Sequence, residues 1–208
     1  MTPMRKILAS ISLCLPLAAC SVAHAPPQTT FDLGAMTPAL QPAALPPMVV
    51  ASPGVPSWLD GSEMLYRLGY ADSHELRSYA NSRWSAPPLQ LFEERLKMRL
   101  AEAGGRVLSP AESAQNVTLT LSVDALDFTQ QFDRADHGSG HVALRVSLFD
   151  ARKLVAQTTI AEQEDARSSD AAGGAQALSR ASDLAIADII RWIAGLNLPA
   201  PPQSTLPH

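Results

Sequence analysis

Ten of the chain's 17 prolines fall in two stretches, six between residues 21 and 47 and four between 199 and 208. Proline fixes φ, lacks a backbone N–H and breaks both helix interiors and central strands. A folded body is therefore confined to the roughly 150 residues of 48–198. A segment of that size buries about 68–70% of its unfolded surface, enough for one core. Composition agrees, since 46% apolar and 17% charged residues are not the profile of a disordered chain. The formal charge of −4 excludes a nucleic-acid partner, which needs clustered Lys and Arg. Both cysteines, Cys14 and Cys20, lie in the first 20 residues, so the body can hold neither a disulfide framework nor a cysteine zinc site.

The N-terminus reads as an address. Arg5 and Lys6 precede an apolar run from Ile7 to Ala19, which at 13 residues is too short for a transmembrane helix of about 20. Leu17-Ala18-Ala19-Cys20 is similar to a bacterial lipobox, in which small residues fit the peptidase and only a thiol accepts a diacylglyceryl group. Residues 1–19 are then a lipoprotein signal peptide, and Cys20 is the lipidation site. An ordinary secretory site near Ala23 or Ala25 is the alternative. Cleavage before Cys20 leaves 208 − 19 = 189 residues, with 14 basic and 20 acidic side chains, a net charge of −6. Two or more acyl chains hold a protein on a membrane permanently. By the sorting habit of such lipoproteins, Ser21 directs the chain to the outer membrane. Residues 20–47 read as the lipidated cysteine and a Pro/Ala-rich tether, with an edge strand near 30–33. As polyproline II, the 27 residues of 21–47 span at most about 85 Å. Residues 199–208 form a Pro-rich tail.

Periodicity then sets the fold class. Met48–Ala51, Met64–Tyr70 and Glu75–Trp84 read as strands, with Ala71-Asp72-Ser73-His74 as a turn. Leu89, Phe92, Leu96, Leu100 and Ala103 recur at helical spacing after Pro87-Pro88, with the N-cap expected at Ser85 or Ala86 and closure at Gly104-Gly105. Val117, Leu119, Leu121 and Val123 alternate with polar residues. The alternation slips at Ala125-Leu126, predicting a β-bulge near Ala125 with Leu126 and Phe128 continuing the apolar face. Val142 to Leu148 and Leu154 to Ala161 complete the strands. A final helix presents Leu178, Ala181, Ala185, Ile189, Trp192 and Leu196, widened by Ile186, Ile190 and Ile193, with Asp183, Asp188 and Arg191 outside that face. The expected fold is α+β, an antiparallel sheet with two long helices packed on one face.

Several segments match this pattern and one another in a known arrangement: Cys20, Thr30-Phe31-Asp32-Leu33, Val55-Pro56-Ser57-Trp58-Leu59-Asp60 and Met64-Leu65-Tyr66-Arg67. The most specific is Ser82-Arg83-Trp84-Ser85-Ala86-Pro87-Pro88, leading into a long helix. In these the chain resembles the ABC-type transport auxiliary lipoprotein family, including the Pqi type, whose members accompany MCE-domain lipid transporters. The resemblance covers Thr30 to Leu196 and is sharpest at the Arg-Trp segment. It implies an outer-membrane-anchored, periplasm-facing, non-enzymatic auxiliary subunit that meets an MCE-domain protein and requires no cofactor. No catalytic residue comes with it.

Arg83 and Trp84, with Trp58, are the candidate partner interface, since Arg and Trp are common interface anchors. Equally, Trp84 can pack under the first helix while Arg83 pairs with a carboxylate, and Trp58 can pack likewise. Trp192 is assigned to the core. His137 and His141 with Asp133 and Asp136 carry metal-ligand chemistry, but no helix aligns them and Gly138-Ser139-Gly140 reads as a hairpin turn, so no metal site is assigned. Ser139 lacks the strand–turn–helix context of a nucleophile elbow. Asn116-Val117-Thr118 matches a glycosylation sequon by coincidence, and Gly173-Gly174 is read as a hinge. The competing readings are a structural lipoprotein of a secretion or cell-wall complex and, more remotely, a hydrolase using Ser139 and His141. Self-association and lipid binding by the body are left open.

Overall fold

A computed structural model of the chain describes residues 27–36, 41–109, 119–196 and 198. The segment read as a signal peptide, Cys20, the sequon at Asn116 and residues 199–208 lie outside the described residues. The described chain is α+β: an eight-stranded sheet with two helices. In order these are β1 (Thr29–Phe31), β2 (Met48–Val50), a 3-10 turn (Ser57–Leu59), β3 (Glu63–Leu68), β4 (Asp72–Trp84), α1 (Pro88–Glu102), β5 (Val107–Leu108), β6 (Leu119–Arg134), β7 (His137–Asp150), β8 (Lys153–Asp165) and α2 (Ala171–Gly195).

The three long strands β6, β7 and β8 are joined by tight turns and pair antiparallel, as the alternation predicts. The sheet is not antiparallel throughout. β1 runs parallel to β4, β3 and β2 run parallel to β6, and β5 runs parallel to β2. β6 carries β7 along one side, while its other side is shared between β2 near Leu121 and β3 near Gln131. Backbone bonds of Ala51 to Leu121 and of Gly54 with Val123 and Ala125 fill the interval between them. Parallel neighbours come from segments far apart in sequence, which local patterning does not announce.

The slip in β6 is a bulge, with Ala125 opposite Leu144 and Asp127 opposite Ala143. Leu126 is the extra residue. It stands 46% exposed and, contrary to the expectation from sequence, does not continue the apolar face; Ala125 closes the first half of that face and Phe128 alone opens the second. Three other boundaries differ from expectation. β4 begins at Asp72, because the turn lies three residues earlier, closed by Ala71 N–H to Leu68 O at 2.9 Å. The N-cap of α1 is Pro87, which offers no side-chain acceptor. The hairpin between β6 and β7 turns at Ala135-Asp136, so Gly138-Ser139-Gly140 lies within β7.

Both helices pack on one face. α1 places Leu89, Phe92, Leu96 and Leu100 against it, each no more than 1% exposed. Its C-terminus closes as the sequence indicates: Gly104, at φ +91°, donates to Ala101 O and Gly105 donates to Leu100 O, a Schellman pair. α2 starts seven residues ahead of the expected apolar stripe. Asp170 caps it by accepting from Gly173 N–H at 2.8 Å. Gly173-Gly174 is thus the first turn of a helix rather than a hinge. A Cβ at either would collide with Ser168 or with the Gln130 side chain, so the missing side chains permit close packing.

Candidate functional site

The described N-terminal segment does not hang free. β1 adds three parallel residues to the edge of β4, pairing Thr29 with Ser82 and Phe31 with Trp84. Beyond it the chain turns at Gly34, whose φ of +64° suits glycine and whose N–H donates to Asp32 Oδ1 at 2.7 Å. Leu33 is 4% exposed and belongs to the core.

What holds this turn is one buried cation. Arg95, on α1, is 3% exposed. Its Nη1 donates to Leu33 O at 3.1 Å and Gly34 O at 2.9 Å, and its Nη2 donates to Ala35 O at 3.2 Å. Its Nε and Nη2 also donate to the two oxygens of Asp183 on α2, at 2.8 and 2.6 Å. A guanidinium has five N–H donors, and all five are used. Ser179 adds a hydroxyl bond to Leu33 O. Arg99, one turn on and 1% exposed, reaches Asp183 at 3.4 Å and Glu102 at 2.8 Å. The cluster ties three pieces of chain: the N-terminal segment, α1 and α2.

Sequence reasoning missed this cluster and placed Asp183 on the solvent side of α2, where its carboxylate is in fact only 12% exposed. The usable signal was the Arg95–Arg99 spacing of four, which puts two cations on the same side of α1 as Phe92 and Leu96. Such cations need a buried acid.

The Arg-Trp segment divides. Trp84 is 1% exposed and meets Phe128 edge-on, ring centroids 5.9 Å apart. Its N–H donates to Ser62 O, which joins the loop after Trp58 to the strand-to-helix corner. Arg83 points outward beside its register partner Glu63, and among the described residues it has no carboxylate partner. Trp58 is 40% exposed on the 3-10 turn, with neighbouring Leu59 buried as the anchor. Trp192, expected in the core, is half-buried and lines an open groove of about 430 Å³ with Ile160, Glu162, Asp188 and Arg191. Trp192 packs against the rim of the core, and the neighbouring Ile193 is the fully buried residue of that turn.

On the opposite face of the sheet Ser139 Oγ and His141 Nε2 lie 2.9 Å apart. Gln163 donates to the same hydroxyl at 3.1 Å, leaving the Ser139 proton for the ring nitrogen. Burial lowers the His141 pKa, with Asp127 opposing, so the ring is held neutral as an acceptor. This is a satisfied cross-strand polar seam: Asp127 is already bonded by Thr129 and Gln131. Asp133 bonds His137 instead, at 2.7 Å. Among the described residues no three His, Cys, Asp or Glu side chains gather as a metal site.

A family model described as "ABC-type transport auxiliary lipoprotein component" matches residues 31–190. No curated protein matches the chain. Among solved structures the fold is similar to a Xanthomonas campestris protein of the DUF330 family, with 18% identity, a TM-score of 0.64 and coverage of 81% of this chain and 94% of that one. An uncharacterized protein gives 18% identity and 0.62 over 80% and 99%. A hypothetical protein of Chlamydia trachomatis gives 11% and 0.50 over 73% and 97%. At these identities the likeness is one of fold.

Proposed function

Because the chain belongs to the ABC-type transport auxiliary lipoprotein family, we propose that it is a non-enzymatic auxiliary subunit of an ABC/MCE-type intermembrane lipid transport system. In this reading acylated Cys20 anchors it in the outer membrane, the body faces the periplasm, and it docks on an MCE-domain protein. The observation that carries the reading is the reach of the family match, which starts at β1 and ends in α2 and so takes in the clamped N-terminal segment with the body. No described helix is long and apolar enough to cross a membrane, and a lipid on Cys20 would supply that attachment. Exposed Arg83 and Trp58, flanking buried Trp84, are the proposed docking residues. Polar Ser139 and His141 serve the sheet and not a reaction.

Fractionating cells that express the chain tests the anchor. The wild type is expected in the outer-membrane band of a density gradient, carrying a metabolically supplied fatty acid, and Cys20→Ala is expected to lose both label and band. A labelled Cys20→Ala protein, or a wild type recovered only with the inner membrane, would count against it.

A further inference from the structure

The N-terminal segment counted as a 27-residue tether is mostly consumed by the body. Thr29 is the first described residue paired in the sheet, Leu33 is core, and Arg95 and Ser179 bind the carbonyls of 33–35. Further on, Ala43 N–H bonds Ala103 O at 2.9 Å, and β2 opens at Met48. Residues 21–28 separate Cys20 from Thr29.

We propose that the Arg95 clamp sets a short standoff, and that acylated Cys20 holds the β1/β4 edge of the body within about 30 Å of the lipid surface. This rests on the lipidation of Cys20 proposed above. The distance follows from chain geometry. Nine Cα steps at 3.3 Å or slightly more reach about 30 Å, against about 85 Å for a tether running to residue 47. Six strands lie in a row from β1 through β4, β3, β6 and β7 to β8. At about 4.8 Å between strands, the β8 edge is about 24 Å further across the sheet. Where it lies level with β1, that edge then stands no more than about 55 Å from the bilayer, so the body meets its partner near the membrane. The clamp resists being reeled out, because releasing 33–35 would strip three carbonyls from a guanidinium buried between two helices.

The position of an insertion distinguishes this arrangement from a long tether. A 20-residue Gly/Ser insert adds an r.m.s. length of about 25 Å. Full-length lipidated protein, labelled with a donor at Asn81→Cys, is reconstituted into phosphatidylethanolamine/phosphatidylglycerol vesicles bearing a headgroup acceptor. Energy transfer is expected to fall when the insert follows Ala25 and to stay at the wild-type level when it follows Pro38. An equal fall at both positions would overturn the proposal, as would no change at either. Unfolding midpoints of both insertion variants, measured in parallel, show that the body is intact. Mass spectrometry of Cys20 separates the two ideas: transfer that is insensitive to position on an acylated chain rejects the clamp alone, whereas an unmodified Cys20 rejects the anchor and the standoff with it.

Discussion

At the scale of single residues, the partners of a half-buried polar side chain explain its chemistry. His141 is the clearest case. Its ring accepts from Ser139, lies between register partners Thr129 on β6 and Gln163 on β8, and has its pKa lowered by burial, with Asp127 pulling the other way. A histidine whose folded pKa lies below its unfolded value near 6.5 binds fewer protons folded than unfolded in the interval between them. Stability is therefore full above about pH 6.5 and falls as pH drops towards the folded pKa. Urea unfolding at pH 7.5 and 5.5 should show the wild type losing more stability over that interval than His141→Gln. Equal losses would mean that the ring is protonated in the fold. Asp170 shows the opposite arrangement, since bonds from Gly173 N–H and the Ser168 hydroxyl lower its pKa and keep the N-cap of α2 charged. The aromatic residues were only partly legible. The sequence gives Trp84 two roles, core or interface, and the fold takes the first because strand alternation points it at Phe128 while Arg83 points away.

At the scale of elements, what could be read from sequence was what local periodicity encodes. Alternation fixes which residues of Leu119–Val123 and Val142–Leu148 face the core, though not where the strands end, and even the bulge was visible as a slip in phase, because a strand with one face buried cannot change parity without an extra residue. The three- and four-residue steps place α1, and Gly104-Gly105 ends it. Contacts between distant segments were illegible. Parallel pairing of β1 with β4, and of β2 and β3 with β6, depends on where long connections return. The Arg95–Asp183 bond joins residues 88 positions apart. Polarity alone put Asp183 outside, since charged residues are rarely buried unpaired, and its pair could not be seen. Removing one member of such a buried pair typically costs about 3–5 kcal/mol. Arg95→Ala is expected at the upper part of that range by chemical denaturation, because three carbonyls lose their donor together with Asp183. Arg95→Lys should recover only part of the loss, as one ammonium cannot replace a five-donor fork. Full recovery by Lys would show that charge alone holds the segment.

At the scale of the whole molecule, a mixed sheet carries two helices on one face, and the Arg95 guanidinium joins the first described segment of the chain to α2. The result is a body tied close to its proposed anchor, with the 13-residue strand β8, which among the described residues pairs only with β7, on the far side. The sequence indicates an edge strand near 30–33, which β1 matches, but proline content does not reveal that Arg95 and Ser179 also hold the carbonyls of 33–35 beyond it. Docking by the proposed route is tested most directly in intact cells, with a photo-crosslinking amino acid at position 83 in place of Arg83 and, as a control, at exposed Thr159 on β8. The account predicts an irradiation-dependent adduct from position 83 that contains an MCE-domain protein, stronger than any from position 159. Adducts from position 83 that contain only a secretion or cell-wall component, or no adduct from a correctly lipidated chain, would contradict it.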